Sequence, residues 1–472
     1  MELTGEKCAV FAVFGRGLEV SRLSFFGLFS LQHRGQESSG IATADGETIR
    51  VHKSAGLVAS IYSEENIRDL AGHIAIGHNR YSTSLGTGNH HAQPIIEENF
   101  AFAHNGNLPS VRALKDFFSK KDMDVSALND SELMARTISH YFKNGVPIEE
   151  AVRNALPLFT GAYCLVIMTK DALVAVRDQC GIRPLSMARL NGGFVFASES
   201  CAFKTIGAEF MREIAPGEMI VVDARGMRHF QVLPQNPKLD IFEFVYFARP
   251  DSNILGKSVY EVRRNLGVRL AKEFPLDADI VVPVPDTAIP SAIGYANTLG
   301  IPFEMALVKN RYIHRTFIEP DQRSRDLGVK MKLSPLPEVL NGKRVVVIDD
   351  SIVRGTTSRQ IVKTLFEAGS KEVHFLVCSP PIQYPDFYGI DISEQTKLIA
   401  FHKTVEEIRK YLGATSLYYL SLQGMVKATG LPEEVFSLSC FNGDYPIALH
   451  ERVNDFEQSK VVEPAAGTLF GE

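Results

Sequence analysis

No apolar run in this 472-residue chain approaches the ~20 residues that cross a bilayer, so no membrane-spanning helix is expected. An excess of positive charge is missing too. The formal net charge of -5 argues against binding nucleic acid by bulk electrostatics, local basic patches aside. Cysteine is sparse: six residues, scattered, with no CxxC pair and no framework spacing, which suits a reducing cytoplasm. The opening MELTGEK is polar and lacks the apolar centre of a secretory signal. What is present, 45% hydrophobic and 22% charged residues at a mean hydropathy of -0.01, is a globular composition. The length predicts two domains or slightly more.

The most informative stretch is VVVIDDSIVRGTTS, Val345 to Ser358. Asn341-Gly342 forms a turn, and Lys343 to Ile348 reads as a buried strand rich in β-branched residues. Beyond Arg354-Gly355, residues Ile361, Val362, Leu365 and Phe366 share one face of a helix that Gly369 closes. A strand, a loop of small residues and a helix present backbone N–H groups to an anion, and Thr356, Thr357 and Ser358 add hydroxyl donors there. The paired acids Asp349 and Asp350 repel phosphate, so they should face sugar hydroxyls or a divalent metal. A ligand with ribose, phosphate and metal-bound pyrophosphate would use every part of such a loop. The string resembles that of the type I phosphoribosyltransferases, which implies that Asp349, Asp350, Arg354, Gly355, Thr356, Thr357 and Ser358 bind phosphoribosyl pyrophosphate. The plainer alternative is a βα turn with solvated carboxylates, but two acids followed by RGTTS are far more specific than a lone glycine motif.

In the first half, Cys8 opens the strand-like run CAVFAVFG and on its own would be a core thiol. Four strings follow it: LQHRGQESSGIA (Leu31 to Ala42), GHNRYSTSLG (Gly77 to Gly86), AFAHNGNL (Ala101 to Leu108) and NDSEL (Asn129 to Leu133). This set, in this order, resembles the glutaminase domain of the N-terminal nucleophile amidotransferases and implies an αββα sandwich. Hydrolysing a primary amide needs a nucleophile, a proton shuttle and donors for an oxyanion. With residues 1–7 removed, Cys8 would carry an α-amine of pKa about 7.7–8.0, able to take the thiol proton and return it to departing ammonia. The resemblance implies that Asn105 and Gly106 form the oxyanion hole, that Arg80 grips the glutamine carboxylate and that Asp130 grips its ammonium. Taken singly, Arg80 and Asp130 could be surface charges and HNGN a hairpin turn. Three strings depart from the family's usual form: Ala9 replaces a glycine, His91-Ala92-Gln93-Pro94 begins with histidine, and RDQCGIRPL carries Gln179 and Cys180.

Strand-like runs such as TGAYCLVIMTK and FVFASES, with amphipathic helices near Ser131 to Lys143 and Ile148 to Leu156, fit a layered first domain over residues 8–235. Leu233 to Pro237 reads as a linker. FEFVYFARPDS, Phe242 to Ser252, follows and resembles the segment joining the two domains of amidophosphoribosyltransferases. Expected strands at Asp279 to Val284, Phe303 to Val308, Lys343 to Ile348 and Val373 to Ser379 alternate with helices, predicting a mostly parallel sheet in a domain of residues 236–445. Pro283 to Pro290 resembles the pyrophosphate loop, and Thr287 falls where a metal-ligating hydroxyl is common; with Asp349 and Asp350 it would hold Mg2+. Lys309 to Leu333 is basic and aperiodic, as expected of a lid over a phosphorylated substrate. Residues 446–472 read as a tail.

Both halves in this order resemble the amidophosphoribosyltransferase family. That implies conversion of glutamine, phosphoribosyl pyrophosphate and water to phosphoribosylamine, pyrophosphate and glutamate, opening purine synthesis, with purine nucleotide feedback and a homotetramer. Some relatives hold an iron–sulfur cluster on four cysteines. Here the matching positions are Asp240, Asp386, Ser437 and Cys440, so no cluster is expected. Two rivals stand beside this reading: a glutaminase serving another acceptor, and a ligand sensor without turnover. The acid-pair loop counts against the first, and Cys8 with both acids against the second.

Overall fold

A computed structural model describes residues 8–81, 91–143, 145–310, 333–388 and 394–452. The expected leader, nearly all of the basic lid and the tail past residue 452 lie outside the described residues.

The first half is built on two antiparallel sheets. Strand Ala9–Phe14 lies in the middle of a seven-stranded sheet, between Gly193–Ala197 and Ile74–Arg80. Its side chains alternate between the two faces, as the pleat requires. Val10 and Ala12 meet Ala101, Ala103, Cys164 and Val166 of a six-stranded sheet, forming the layer between the sheets. Phe11 and Val13 point the other way, under helices Val20–Ser30 and Cys201–Ile206. On the far side, Phe100, Phe102, Leu165 and Ile167 pack beneath helices Arg112–Ser119, Asp130–Tyr141 and Ile148–Ala155. Helix, sheet, sheet and helix make the expected αββα sandwich. Each fully buried large apolar side chain contributes roughly 1.5–3 kcal/mol, so the three apolar layers dominate the stability of this half.

The second half holds a parallel sheet in the order Ile280–Pro283, Arg344–Asp349, Glu372–Val377, Ser416–Tyr419. Val346, Ile348 and Leu376 face helices Val259–Glu273, Ile289–Leu299 and Leu422–Thr429. Val345, Val347 and Phe375 face helices Thr356–Glu367 and Val405–Leu412. Both faces are covered, which is why Val345–Ile348 reads as an uninterrupted apolar run.

One expected strand is not part of this sheet. Phe303 makes only an isolated parallel bridge to Val281, and Leu307–Lys309 pairs antiparallel with Leu333–Pro335 instead. Exposed Glu304 and Met305 break the apolar run between these two pairings. The fourth strand, Ser416–Tyr419, is only four residues long and was not foreseen.

The linker is bound to the first half. Asn236, Lys238 and Asp240 donate backbone N–H groups to the carbonyls of Gln179, Cys180 and Ile182 at 2.9, 2.7 and 3.1 Å. Leu239–Asp240 then pairs with Phe436–Ser437, and Glu243–Phe247 forms a single wide helical turn. Ile447 and Leu449 are buried against Ala162, Cys180, Ile182, Phe387 and Tyr388, so the beginning of the expected tail is packed between the halves.

Candidate active sites

Cys8 immediately precedes its strand, 7% exposed, on a cavity of about 120 Å³. Arg80, Gly106 and Asp130 line the same cavity, together with Gln93 and His104. Residues far apart in sequence are therefore brought to one place. Arg80 ends the neighbouring strand Ile74–Arg80. Asp130 opens helix Asp130–Tyr141, whose N-cap Asn129 forms a reciprocal capping box with Glu132. Its carboxylate accepts from Ser131 N at 2.7 Å and Leu108 N at 3.3 Å, so it is fixed at the positive end of the helix and can pair with a ligand's ammonium.

Asn105 and Gly106 lie within the long strand Phe100–Ser110, not in a hairpin turn. Gly106 has φ +148°, and a Cβ there would sit 2.0 Å from the Ala162 carbonyl oxygen. Only glycine lets the two strands approach this closely. The Asn105 side chain donates from Nδ2 to Ser198 Oγ at 3.2 Å.

His104 was not singled out from the sequence, although it belongs to the AHNGN string. Its Nε2 faces the Ala162 carbonyl at 3.4 Å and its Nδ1 faces Ser131 Oγ at 3.0 Å. A carbonyl can only accept, so a proton on Nε2 would satisfy Ala162 and leave Nδ1 to accept from the Ser131 hydroxyl, which also lies 3.4 Å from Asp130 Oδ1. Gln93 closes the loop, accepting from His104 N at 2.7 Å and donating to Ser131 Oγ at 3.3 Å. Burial lowers the pKa of His104, with Asp130 opposing, and the same burial together with His104 pushes His78 down to about 3. Both imidazoles are neutral, His104 in the cavity wall and His78 with its Nε2 3.0 Å from the His104 carbonyl oxygen.

In the second half, Asp349 and Asp350 sit at the carboxyl end of the second parallel strand, 8% and 4% exposed. Thr287, following the neighbouring strand, donates its hydroxyl to Asp350, and Ser351 Oγ donates to the other carboxylate oxygen at 2.6 Å. Burial and the adjacent Asp350 carboxylate hold Asp349 well above the usual carboxylate range. A divalent cation or sugar hydroxyls would relieve this pair, so the donor set fits a hard metal. No three of His, Cys, Asp or Glu among the described residues gather closely enough to hold one alone. Gly355, with φ +77°, turns the loop into helix Thr356–Glu367, and Thr356, Thr357 and Ser358 form its first turn. Lys309 donates to Asp286 of the Pro283–Pro290 loop at 2.6 Å.

Comparison with known proteins accords with the division into two halves. Residues 78–205 match the model of a glutamine amidotransferase domain and residues 253–391 that of a phosphoribosyl transferase domain. Amidophosphoribosyltransferase from Synechococcus elongatus is 46% identical over 95% of this chain and 93% of its own length. The chain belongs to the amidophosphoribosyltransferase family. The enzyme of that name from Methanocaldococcus jannaschii is 44% identical over 93% of this chain and 97% of its own. The solved glutamine phosphoribosylpyrophosphate amidotransferase from Bacillus subtilis, complexed with ADP and GMP, superposes with a TM-score of 0.87 at 42% identity, covering 94% of this chain and 98% of that one.

At the junction of the two halves of this amidophosphoribosyltransferase fold lies a buried charge network. Arg34 binds Glu199 of the first half and Glu243 of the junction turn, the latter at 2.5 Å, and Arg183 reaches Glu243 at 2.8 Å. Glu199 also accepts from His33 at 2.6 Å, from Ser252 Oγ at 2.6 Å and from Arg249 N at 2.9 Å. Burial alone would raise the Glu199 pKa, but Arg34 and His33 hold it well below the usual range. In the same turn, burial and then the charges of Asp350 and Asp349 raise the pKa of Tyr246, which places this tyrosine near the acid pair.

The four positions of the cluster-bearing relatives also come together. Asp240 pairs in register with Ser437, Ser439 Oγ links to Ser437 Oγ and to Asp386 Oδ2, each at 3.3 Å, and all are buried. Burial and Asp386 raise the pKa of Asp240. Burial, Asp386 and Asp240 raise that of Cys440, leaving a protonated thiol. One neutral thiol beside two carboxyls does not fit a four-iron cube.

Proposed function

We propose that Cys8 is the nucleophile of the glutaminase half-reaction and that Asp349, Asp350 and the loop after them bind phosphoribosyl pyrophosphate. The observation that carries this reading is the single cavity shared by Cys8, Arg80, Gly106 and Asp130, groups suited to a thiolate attack on an amino acid bearing both charges. The freed α-amine of Cys8 takes the thiol proton, and Sγ bonds to the carboxamide carbon. Asn105 Nδ2–H and Gly106 N–H receive the oxyanion, and the C–N bond breaks to leave a thioester and ammonia. Water then releases glutamate. Ammonia bonds to C1 of the ribose as the C1–O bond to pyrophosphate breaks, giving phosphoribosylamine.

Thr287, Asp349 and Asp350 would hold Mg2+, which when bound neutralises pyrophosphate charge. Arg354, Gly355, Thr356, Thr357 and Ser358 supply donors to the 5-phosphate end from the start of a helix. The basic Lys309–Leu333 segment acts as the lid that keeps water from the ammonia. We extend to this chain a purine-nucleotide inhibitor site, a homotetramer, cytoplasmic localisation, the division at residue 235, removal of residues 1–7 and the lack of an iron–sulfur cluster.

The decisive experiment compares wild type with Cys8→Ala for pyrophosphate release driven by glutamine or by high ammonium at alkaline pH. The variant should lose glutamine-driven turnover and keep the ammonium-driven reaction. Loss of both would overturn the separation of the half-reactions. Intact-mass measurement of the purified chain checks the leader, and a chain still beginning at Met1 would remove the proposed base.

A further inference from the structure

Ser198 is fully buried just past strand Gly193–Ala197, where that strand runs beside Ala9–Phe14. Its backbone N–H donates to the Val10 carbonyl at 3.1 Å. Its hydroxyl oxygen accepts from Val10 N at 2.9 Å and from Asn105 Nδ2 at 3.2 Å, and lies 3.5 Å from the Val10 carbonyl oxygen. One side chain thus touches the strand that carries Cys8, two residues before Val10, and the amide expected to meet the oxyanion. The two belong to different sheets, and nothing in local sequence relates them.

We propose that Ser198 is a positioning residue that fixes the Asn105 amide relative to Cys8. The hydroxyl proton is directed at the Val10 carbonyl, so the oxygen offers a lone pair to its other neighbour. Asn105 must then turn its nitrogen, not its oxygen, toward Ser198. One N–H is held by that bond, and the second N–H of the same planar group is fixed in direction. Without the serine oxygen the amide can rotate and present Oδ1, an acceptor that repels a developing oxyanion. Charge stabilisation in such a hole depends on donors already in place, so a loss of orientation acts on turnover more than on glutamine binding. Ser198 never contacts substrate itself. The next residue, Glu199, holds Ser252 and Arg249 of the second half, so the support of the amide is continuous with the docking of the two domains.

This inference rests on the reading of Asn105 as an oxyanion donor. The test is a cycle of Ser198→Ala, Asn105→Ala and the double variant, each assayed with glutamine and with ammonium. Ser198→Ala should lower glutamine-dependent kcat about 10- to 100-fold, below the ~100- to 1000-fold expected for losing the donor itself. KM for glutamine and the ammonium-driven rate should remain within about twofold, and the double variant should be no slower than Asn105→Ala. Multiplying losses in the double variant, a rise in KM with unchanged kcat, or loss of the ammonium-driven rate as well would overturn the assignment of Ser198. Full activity in Asn105→Ala would instead sink the oxyanion reading. Ser198→Thr, which retains the oxygen, should recover more glutamine-dependent kcat than Ser198→Ala; equal rates would count against the hydroxyl's role.

Discussion

Replacing Gly106 by alanine tests strand geometry and chemistry together. The added Cβ would lie 2.0 Å from Ala162 O, 2.7 Å from Ala162 C and 2.9 Å from Tyr163 Cα, all backbone atoms of the adjoining strand. No side chain can swing away to make room. Restoring even a 3.0 Å contact requires the strands to part by about 1 Å, at a point where Gly106 pairs with Tyr163 in register. Such overpacking costs roughly 1–3 kcal/mol. The φ of +148° adds about 1–3 kcal/mol for any residue with a Cβ. The sum, about 2–6 kcal/mol, is a large share of the ~5–15 kcal/mol that holds a typical domain. Parting the strands also displaces the Gly106 N–H, so glutamine-dependent kcat should fall about 100- to 1000-fold. The ammonium-driven reaction, which uses the other half, should fall far less. Urea denaturation with paired glutamine and ammonium assays measures both effects. A variant with an unshifted unfolding midpoint and glutamine turnover within threefold of wild type would refute the steric argument and the oxyanion role at once.

Other perturbations follow from buried charge. Arg34→Ala leaves Glu199 and Glu243 without their shared cation and should cost about 3–5 kcal/mol in urea denaturation. Arg34→Lys should not restore it, because one ammonium cannot serve two carboxylates as the guanidinium does; full recovery would show that charge alone suffices. His78 has a folded-state pKa depressed to about 3, so its contribution is present above the unfolded value near 6.5 and is lost as pH falls below it. Stability should drop by about 2 kcal/mol at pH 5 relative to pH 7.5 from this group, and His78→Asn should remove that share of the pH dependence. An unchanged slope in the variant would mean that His78 is not held neutral.

The strings around Cys8, Arg80, Gly106 and Asp130 pointed to one place, and these four residues line one cavity, because each string is a local pattern whose residue types match a chemical need. The second site was legible for the same reason: strand, acid pair, small-residue loop and helix are contiguous. The contacts that bind these pieces were not legible. Ser198 meets Val10 across 188 positions and Arg34 meets Glu243 across 209, and no periodicity marks either pairing. Phe303 to Val308 had the composition of a strand, but exposed Glu304 and Met305 divide it between a lone bridge and a separate hairpin. Ser416–Tyr419 has one serine, one leucine and two tyrosines, without the β-branched apolar run that marked Ile280–Pro283, and it completes the sheet only by lying beside Glu372–Val377.

Ile447 and Leu449 insert between the halves, against Ala162 and Ile182 on one side and Tyr388 on the other. During synthesis the ribosome releases the first domain long before these two side chains emerge. Until then the patch that they cover stays open to water and to other nascent chains. The amino-terminal body is therefore completed by nearly the last described stretch of the polypeptide, and trimming the chain just after Tyr445 would recreate in the finished protein the unsealed surface of its own birth.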